Sequence, residues 1–381
     1  MYTTQGGGAL AEMAEWNCHG NAMGMPVALK SVVGVTGMNA TDNPAPGVPV
    51  ARSLRAALDF RGKIIGLGYD PLDPGFYAEG LLDGGAIMPF PSSGRDAVCH
   101  KLRRLKSEFG MDVLLPTLDS ELRVFSGLQQ ELSDIGMAVL VPDLAGVDAV
   151  SKAHLTALAE RARLRVPDSE TITAPADLKR LMDRLGPALV VKGVYYGAHI
   201  TNNEPDAVAA YHRHVAEWGL PVIVQKHIQG EEYNVAALGD GTGRTVGCVA
   251  MRKMALTDKG KAWAGVTVLE EQLLDTTRRI IEALKWRGGM EVEFMRETKT
   301  GDLYVLEINP RFPAWIHLAT AAGQNLPFAA VRLAMGFDVP TFGDYRVGTR
   351  FVRIMLDQIG DLATFGVLSQ QGEAHFKGRP A

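Results

Sequence analysis

Short apolar runs alternate with longer amphipathic stretches through the first third of the chain, and that rhythm narrows the fold more than any other feature. Ser31-Val32-Val33-Gly34-Val35 reads as a buried strand, and the turn-like Thr36-Gly37-Met38-Asn39 precedes a helical stretch over 50–60. A second strand covers 63–66, a helix 95–109 behind Pro91-Ser92-Ser93-Gly94, a third strand 112–116 and a further helix 120–136. Strands this short and apolar belong to parallel sheets buried on both faces, joined by right-handed helical crossovers. A chain of 381 residues also exceeds the roughly 250–300 residues at which single cores stop growing, so two or three packed lobes are expected.

A dinucleotide-binding turn is the first chemistry such a pattern suggests, and the glycines argue against it. The fingerprint needs G-x-G-x-x-G between strand and helix. Gly34 and Gly37 lack that spacing, and Gly66-Leu67-Gly68 lacks the third glycine. They read as tight turns at the carboxyl edge of the sheet.

The pattern changes near residue 148. Helices over 151–163 and 176–185 lead to a strand over 187–192 that ends in Lys192, and another strand covers 222–225. Stretches 232–238 and 245–251 read as antiparallel partners around the turn 239–243. An amphipathic helix at 271–285 precedes two strands, 290–295 and 303–308, around 299–302. Helices at 319–322 and 327–335 and a strand at 350–355 follow. Residues 1–30 form a Gly- and Met-rich lead-in with one short helix near 9–16.

Several classes are excluded by composition. With 39 basic against 43 acidic residues and no basic stripe, the chain lacks the footprint of a nucleic-acid partner. The run Lys101-Leu102-Arg103-Arg104 reads as the solvated side of a helix. Cys18, Cys99 and Cys248 form no CxxC pair, and no HExxH is present, which argues against disulfide or zinc frameworks. No basic-then-apolar leader and no apolar span of about 18 residues appears, so no membrane partner and a cytoplasmic location are expected.

The sharpest chemical signal is Glu307-Ile308-Asn309-Pro310-Arg311. On a strand, Glu307 and Asn309 share a face. Glu293, on the preceding strand, reaches the same region across a hairpin turning at Gly301, with Glu291 on its own face. Two carboxylates and an amide oxygen are hard ligands suited to Mg2+, and Arg311 offers a rigid fork to a phosphoryl oxygen. Lys192, followed by glycines at Gly193 and Gly197, suits a nucleotide phosphate. The segment from Gln225 to Tyr233 offers backbone groups for an adenine edge and a carboxylate for ribose.

These motifs in this order resemble the ATP-grasp superfamily, in the flavour of carbamoyl-phosphate synthetase large subunits, biotin carboxylases and amino-acid ligases. The resemblance implies an α/β and α+β chain: a pre-ATP-grasp parallel αβα domain followed by the two-lobed ATP-grasp fold. The corresponding divisions are a lead-in 1–30, a pre-ATP-grasp domain 31–145, an ATP-grasp region 146–340 (lobe 1 near 150–225, lobe 2 near 226–340), and an extension 341–381 packing on the ATP-grasp core. It further implies Lys152 and Lys192 on nucleotide phosphates, Gln225 near the adenine amine, backbone groups of Lys226 and Ile228 on the base, and Glu232 on the ribose. Glu293, Glu307 and Asn309 would hold two Mg2+ ions (or Mn2+), and Arg311 would steady an acyl phosphate. The bulky Val194-Tyr195-Tyr196 of the phosphate loop departs from the glycine-rich pattern.

The implied activity is ATP-dependent ligation of a carboxylate, an amino acid or small peptide, to an amine through an acyl phosphate, in a homodimer. Arg252 or Lys253, in the basic segment 251–261, would touch phosphate or substrate; Trp263, Trp315 and the loop 116–121 would wall the pocket or pack the core. A bicarbonate-using carboxylase acting through carboxyphosphate ranks second, since the chain after Gly336 is short for the C-terminal domain of a biotin carboxylase. An ATP-binding partner or sensor without turnover ranks third.

Overall fold

Val33, Val35, Ile64 and Val113 are wholly out of solvent and Ile65 almost so, because helices cover both faces of the strands that carry them. A computed structural model describes residues 28–39, 44–193, 197–257 and 260–376; the expected helix near 9–16 and Val194-Tyr195-Tyr196 lie outside these residues. Five parallel strands form the first sheet: β1 (Val32–Thr36), β2 (Lys63–Gly68), β3 (Gly84–Ile87), β4 (Val113–Leu115) and β5 (Ala138–Val139), in the order β3-β2-β1-β4-β5. Val50 and Leu54 pack on one face; Leu102, Leu105 and Phe125 pack on the other. The helix expected over 50–60 runs instead over Gly47–Arg55. Its start is set by a close approach to β1, since a Cβ on Gly47 would lie 2.1 Å from the Thr36 carbonyl oxygen.

A smaller antiparallel sheet follows: β6 (Ser169–Ile172), β7 (Leu189–Lys192), β8 (Ala198–Thr201) and β9 (Val222–Lys226), ordered β6-β9-β7-β8. Helices Asp177–Leu185 and Glu204–Trp218 cover it through Leu178, Leu181, Ala207 and Tyr211. The large antiparallel sheet is built from β10 (Gly230–Asp240), β11 (Thr245–Leu256), β12 (Ala262–Thr267), β13 (Arg287–Glu297), β14 (Leu303–Asn309) and β15 (Arg350–Val352), ordered β14-β13-β10-β11-β12-β15. The even positions Met290, Val292 and Phe294 of β13 join Leu273, Leu274, Ile280 and Ile281 of helix Glu271–Leu284 in one core. The odd positions Glu291 and Glu293 therefore face the other way. The whole is a mixed α/β architecture, an αβα domain followed by a two-lobed unit.

Two expectations about the surface change. Of residues 341–376, the stretch up to Arg353 packs on the preceding lobe, whereas β16 (Glu373–His375) returns to the first sheet, antiparallel to β3. The cause is visible in the basic run at 101–104, which is not a plain solvated face. Lys101 Nζ and an Arg104 guanidinium nitrogen bind the buried Glu373 carboxylate at 2.6 and 2.5 Å. No helix among the described residues is long and apolar enough to cross a membrane.

Candidate active site

The β13–β14 hairpin sets the site by register. Glu293 lies directly opposite Glu307, and Glu291 opposite Asn309, so alternation puts four polar side chains on the face away from the core. Asn234 of β10 sits beside Glu293 in the adjoining register and donates from Nδ2 to Glu291 at 2.7 Å. Glu291, nearly buried, also accepts from Asn309 Nδ2 at 3.0 Å, Trp315 Nε1 at 2.8 Å and Arg311 at 3.2 Å. Four donors occupy this carboxylate, so it organises its neighbours and is not free to ligate an ion. Sequence alternation marked Glu291 as nearby but gave no sign of this role.

Asn309 Nδ2 also donates to Glu293 Oε1 at 3.0 Å. With the amide nitrogen turned onto two carboxylates, its oxygen is the group left for an incoming cation. Lys253 on β11 is almost buried and reaches Glu232 at 2.6 Å and Glu293 at 3.4 Å. Burial alone would raise the Glu293 pKa. Lys253, Lys261, the Asn309 amide and Arg311 outweigh it and hold that carboxyl down at about 2. Burial likewise works against the Lys253 charge, but Glu293 and Glu232 keep it above the ordinary lysine value.

Lys192, at the end of β7 in the smaller lobe, is 9% exposed. Burial pushes its ammonium below the usual lysine value; Glu307 and Glu293 oppose that shift and Lys152 adds to it. Lys152 Nζ lies 3.6 Å from Glu307. The two lobes thus bring both lysines to the acidic pair. Gly193 is buried beside Lys192, and Gly197 closes the far side of the loop at φ +83°, where a Cβ would lie 2.8 Å from the His214 ring. Arg311 is held from the opposite side: Nε donates to Asp119 of the first domain at 3.1 Å while the guanidinium end reaches Glu291. Burial disfavours its charge, and Asp119 and Glu291 more than compensate.

Other expected residues separate. Arg252 points off the acidic face toward Glu231, 3.7 Å away, with its side chain 44% exposed, because neighbours on a strand alternate; of the pair 252 and 253 only Lys253 enters the site. The Lys226 N–H is taken by the Asp168 carbonyl at 2.8 Å, so it is not available to a base. Gln225 is buried between β6 and β7, and Ile228 is buried just beyond. Glu232 is bound to Lys253. Trp315 belongs to the floor through Glu291, whereas Trp263 is 36% exposed on β12. The loop 116–121 contributes Asp119 and, behind it, the fully buried Glu121, which accepts from Thr36 Oγ1 and the Tyr69 hydroxyl, both at 2.5 Å. Burial lifts the Glu121 carboxyl to about 7 against the lowering effect of those bonds.

Among the described residues no group of three or more His, Cys, Asp or Glu side chains forms a metal cage. Mg2+ does not require one, since it usually takes one or two carboxylates and completes its shell with water and phosphate. Glu293, Glu307 and the Asn309 oxygen fit an ion shared with a polyphosphate, and Mn2+ would accept the same donors.

Comparison with known proteins finds relatives of similar sequence and fold. A family described as ATP-grasp in the biosynthetic pathway with Ter operon matches residues 220–354. The carbamoyl phosphate synthase large chain of Micrococcus luteus is 29% identical over 226 residues, 55% of this chain and 20% of the relative. The D-alanine–D-alanine ligase of Chromohalobacter salexigens is 27% identical over 191 residues, 46% of this chain and 57% of the relative. The chain therefore spans between a fifth and somewhat over half of these relatives. Among solved structures, the biotin carboxylase domain dimer of Hydrogenobacter thermophilus 2-oxoglutarate carboxylase, with MgADP, ADP and bicarbonate, superposes with a TM-score of 0.65 at 16% identity. That overlap covers 84% of this chain and 73% of the other.

Proposed function

Since this chain belongs to the ATP-grasp superfamily, in the group of carbamoyl phosphate synthase large chains and biotin carboxylases, we propose that it phosphorylates bicarbonate with ATP and passes the activated carboxyl group to a nitrogen nucleophile. The coarser part of this, an ATP-grasp chemistry that makes an activated intermediate from ATP, is common to both enzymatic readings of the site. The choice of bicarbonate over an amino-acid carboxylate reverses the order read from sequence. It is supported by the likeness, over 84% of this chain, to a biotin carboxylase domain whose structure holds bicarbonate.

The observation that carries the reading is the facing of Glu293 and Glu307 across β13–β14 toward Lys192 and Lys152, beside an Arg311 fixed on both sides. A bicarbonate oxygen attacks the γ-phosphorus, the bond to the β–γ bridging oxygen breaks, and ADP leaves. Lys192 and Lys152 bind and orient the phosphate tail, while Arg311 offers donors to the transferring phosphoryl group. Glu293, Glu307 and the Asn309 oxygen would hold Mg2+, which would supply neutralisation of charge on the transferring oxygens. The amine then attacks the carboxyl carbon and phosphate departs. Lys253 holds Glu293 ionised and in place, and Glu291 fixes the amide of Asn309.

A second reading, carboxylate–amine ligation, is favoured by the match to the D-alanine–D-alanine ligase; it shares the first step and differs in the acid. ADP release measured with bicarbonate, amino acids and neither separates the two. Bicarbonate-stimulated release without an amino acid is the expected result. Release that requires an amino acid and ignores bicarbonate would transfer the assignment to ligation. Nucleotide binding with no release under any condition would overturn both and leave a sensor.

A further inference from the structure

The large sheet carries an arginine just past each of its outer strands: Arg311 after β14 and Arg353 after β15. Register brings the second onto the face of the candidate site. Lys253 lies opposite Gly265, and Gly265 opposite Phe351; side chains directly opposed across antiparallel strands share a face. A Cβ on Gly265 would lie 2.9 Å from the Phe351 ring, so the ring covers that glycine. The Arg353 guanidinium carbon stands 5.5 Å from the ring centre. This guanidinium is fixed but not used up. The Arg353 backbone N–H is tied to the Trp263 carbonyl at 2.9 Å, and Nε donates to the Ala262 carbonyl at 2.9 Å. Among the described residues its terminal nitrogens have no hydrogen-bond or ion-pair partner. Arg287 shows the structural alternative, giving its guanidinium to the oxygens of Gln129, Val139 and Val141. Burial holds the Arg353 charge below the usual arginine value, and Glu291 opposes that shift, yet Glu291 already has four donors of its own. A half-buried guanidinium, held by Nε with its outer fork unspent, is built to receive a planar anion.

We propose that Arg353 binds the carboxylate of the nitrogen nucleophile, so that the second substrate is an amino acid whose amine accepts the activated carboxyl group. The proposal rests on the transfer to nitrogen read above. The triphosphate and the transferring phosphoryl group have Lys152, Lys192 and Arg311, gathered about β14 at the other flank of the sheet. The anion left for Arg353 is therefore one carried by the acceptor. A single guanidinium beside the Glu291 charge matches a planar monoanion, whereas a phosphate monoester would bring nearly two negative charges to it. In the transfer, the amine nitrogen bonds to the carboxyl carbon as the carbon–oxygen bond to phosphate breaks. Phosphate leaves with that electron pair and a proton passes to it from nitrogen. Arg353 takes no part in these bond changes and fixes the far end of the acceptor.

Titration calorimetry of the full chain, loaded with Mg2+ and a methylene-bridged ATP analogue that cannot be hydrolysed, tests this without turnover. Each common amino acid is titrated beside its own carboxamide. At least one amino acid is expected to bind, with its carboxamide about tenfold weaker or more, since the amide lacks the charge the fork recognises. Arg353→Met should weaken that amino acid by roughly thirtyfold or more and bring acid and amide level, the scale of removing one member of a desolvated charge pair. Arg353→Lys keeps a charge without the fork and should recover only part of the loss. Affinity for the ATP analogue, measured alongside, reports whether each variant is folded. Binding of no amino acid to the unaltered chain overturns the proposal. So does an Arg353→Met chain that keeps the preference for acid over amide, or an Arg353→Lys chain with the affinity of the parent. The titration involves neither bicarbonate nor phosphate release, so its failure is distinct from a failed ADP-release assay.

Discussion

Glu291 and Glu293 stand two residues apart on one face of β13, yet their neighbours give them different work. Glu291 is saturated by four donors, while Glu293 and Glu307 keep oxygen atoms directed at the lysines. Glu307→Gln keeps the size of the side chain and removes its charge. ADP release should fall at least about a hundredfold, the scale of losing one charge-stabilising group, with the melting temperature within a few degrees of the parent; near-normal kcat would remove Glu307 from the cation site. Glu121 makes a separate statement about pH. Its carboxyl is lifted to about 7 by burial, so its contribution to stability is fully present below the ordinary glutamate value and is lost as pH rises through 7. Denaturant melts of Glu121→Gln should therefore show a flatter decline between pH 5 and 7.5 than the parent. An identical slope would mean the carboxyl is already ionised in the fold.

The β13–β14 hairpin works as an element because one of its faces is wholly committed to the core. Phe294 is fully buried against the helix Glu271–Leu284, and Phe294→Ala should cost about 3–5 kcal/mol of unfolding free energy, as large aromatic truncations do. A loss under 1 kcal/mol would show that the register does not depend on that packing. This hairpin was legible in sequence because a period of two separates Glu291 and Glu293 from Met290, Val292 and Phe294. The helix Glu204–Trp218 went unread although Asn203 caps it and Ala207, Ala210, Tyr211 and His214 are its buried stripe. Pro205 and the polar run Tyr211-His212-Arg213 mask a stripe made of small residues. β12 was missed because Ala262, Ala264 and Gly265 carry little strand preference. Arg252 and Lys253 could not be told apart before the register of β11 fixed which one faces the acids.

At the scale of the molecule, the site is shared between regions far apart in sequence. Asp119 of the first domain holds Arg311, 192 positions away, a pairing that no spacing rule reveals. Asp119→Asn should leave the nucleotide KM within about twofold while lowering kcat about tenfold or more, the pattern of a group that positions another for the transferring phosphoryl. Asp119→Glu should recover part of the loss. A change confined to KM would place Asp119 at the nucleotide instead. The placement of β16 has a different consequence. Because β16 seals the outer flank of β3, the αβα domain draws on described residues from both sides of the two lobes, which are threaded through it as an insert. Expressing residues up to 145 by themselves would strip that flank bare and leave Lys101 and Arg104 without their counter-ion. The piece worth cutting out for separate study is therefore the middle of the chain, with its surroundings rejoined end to end.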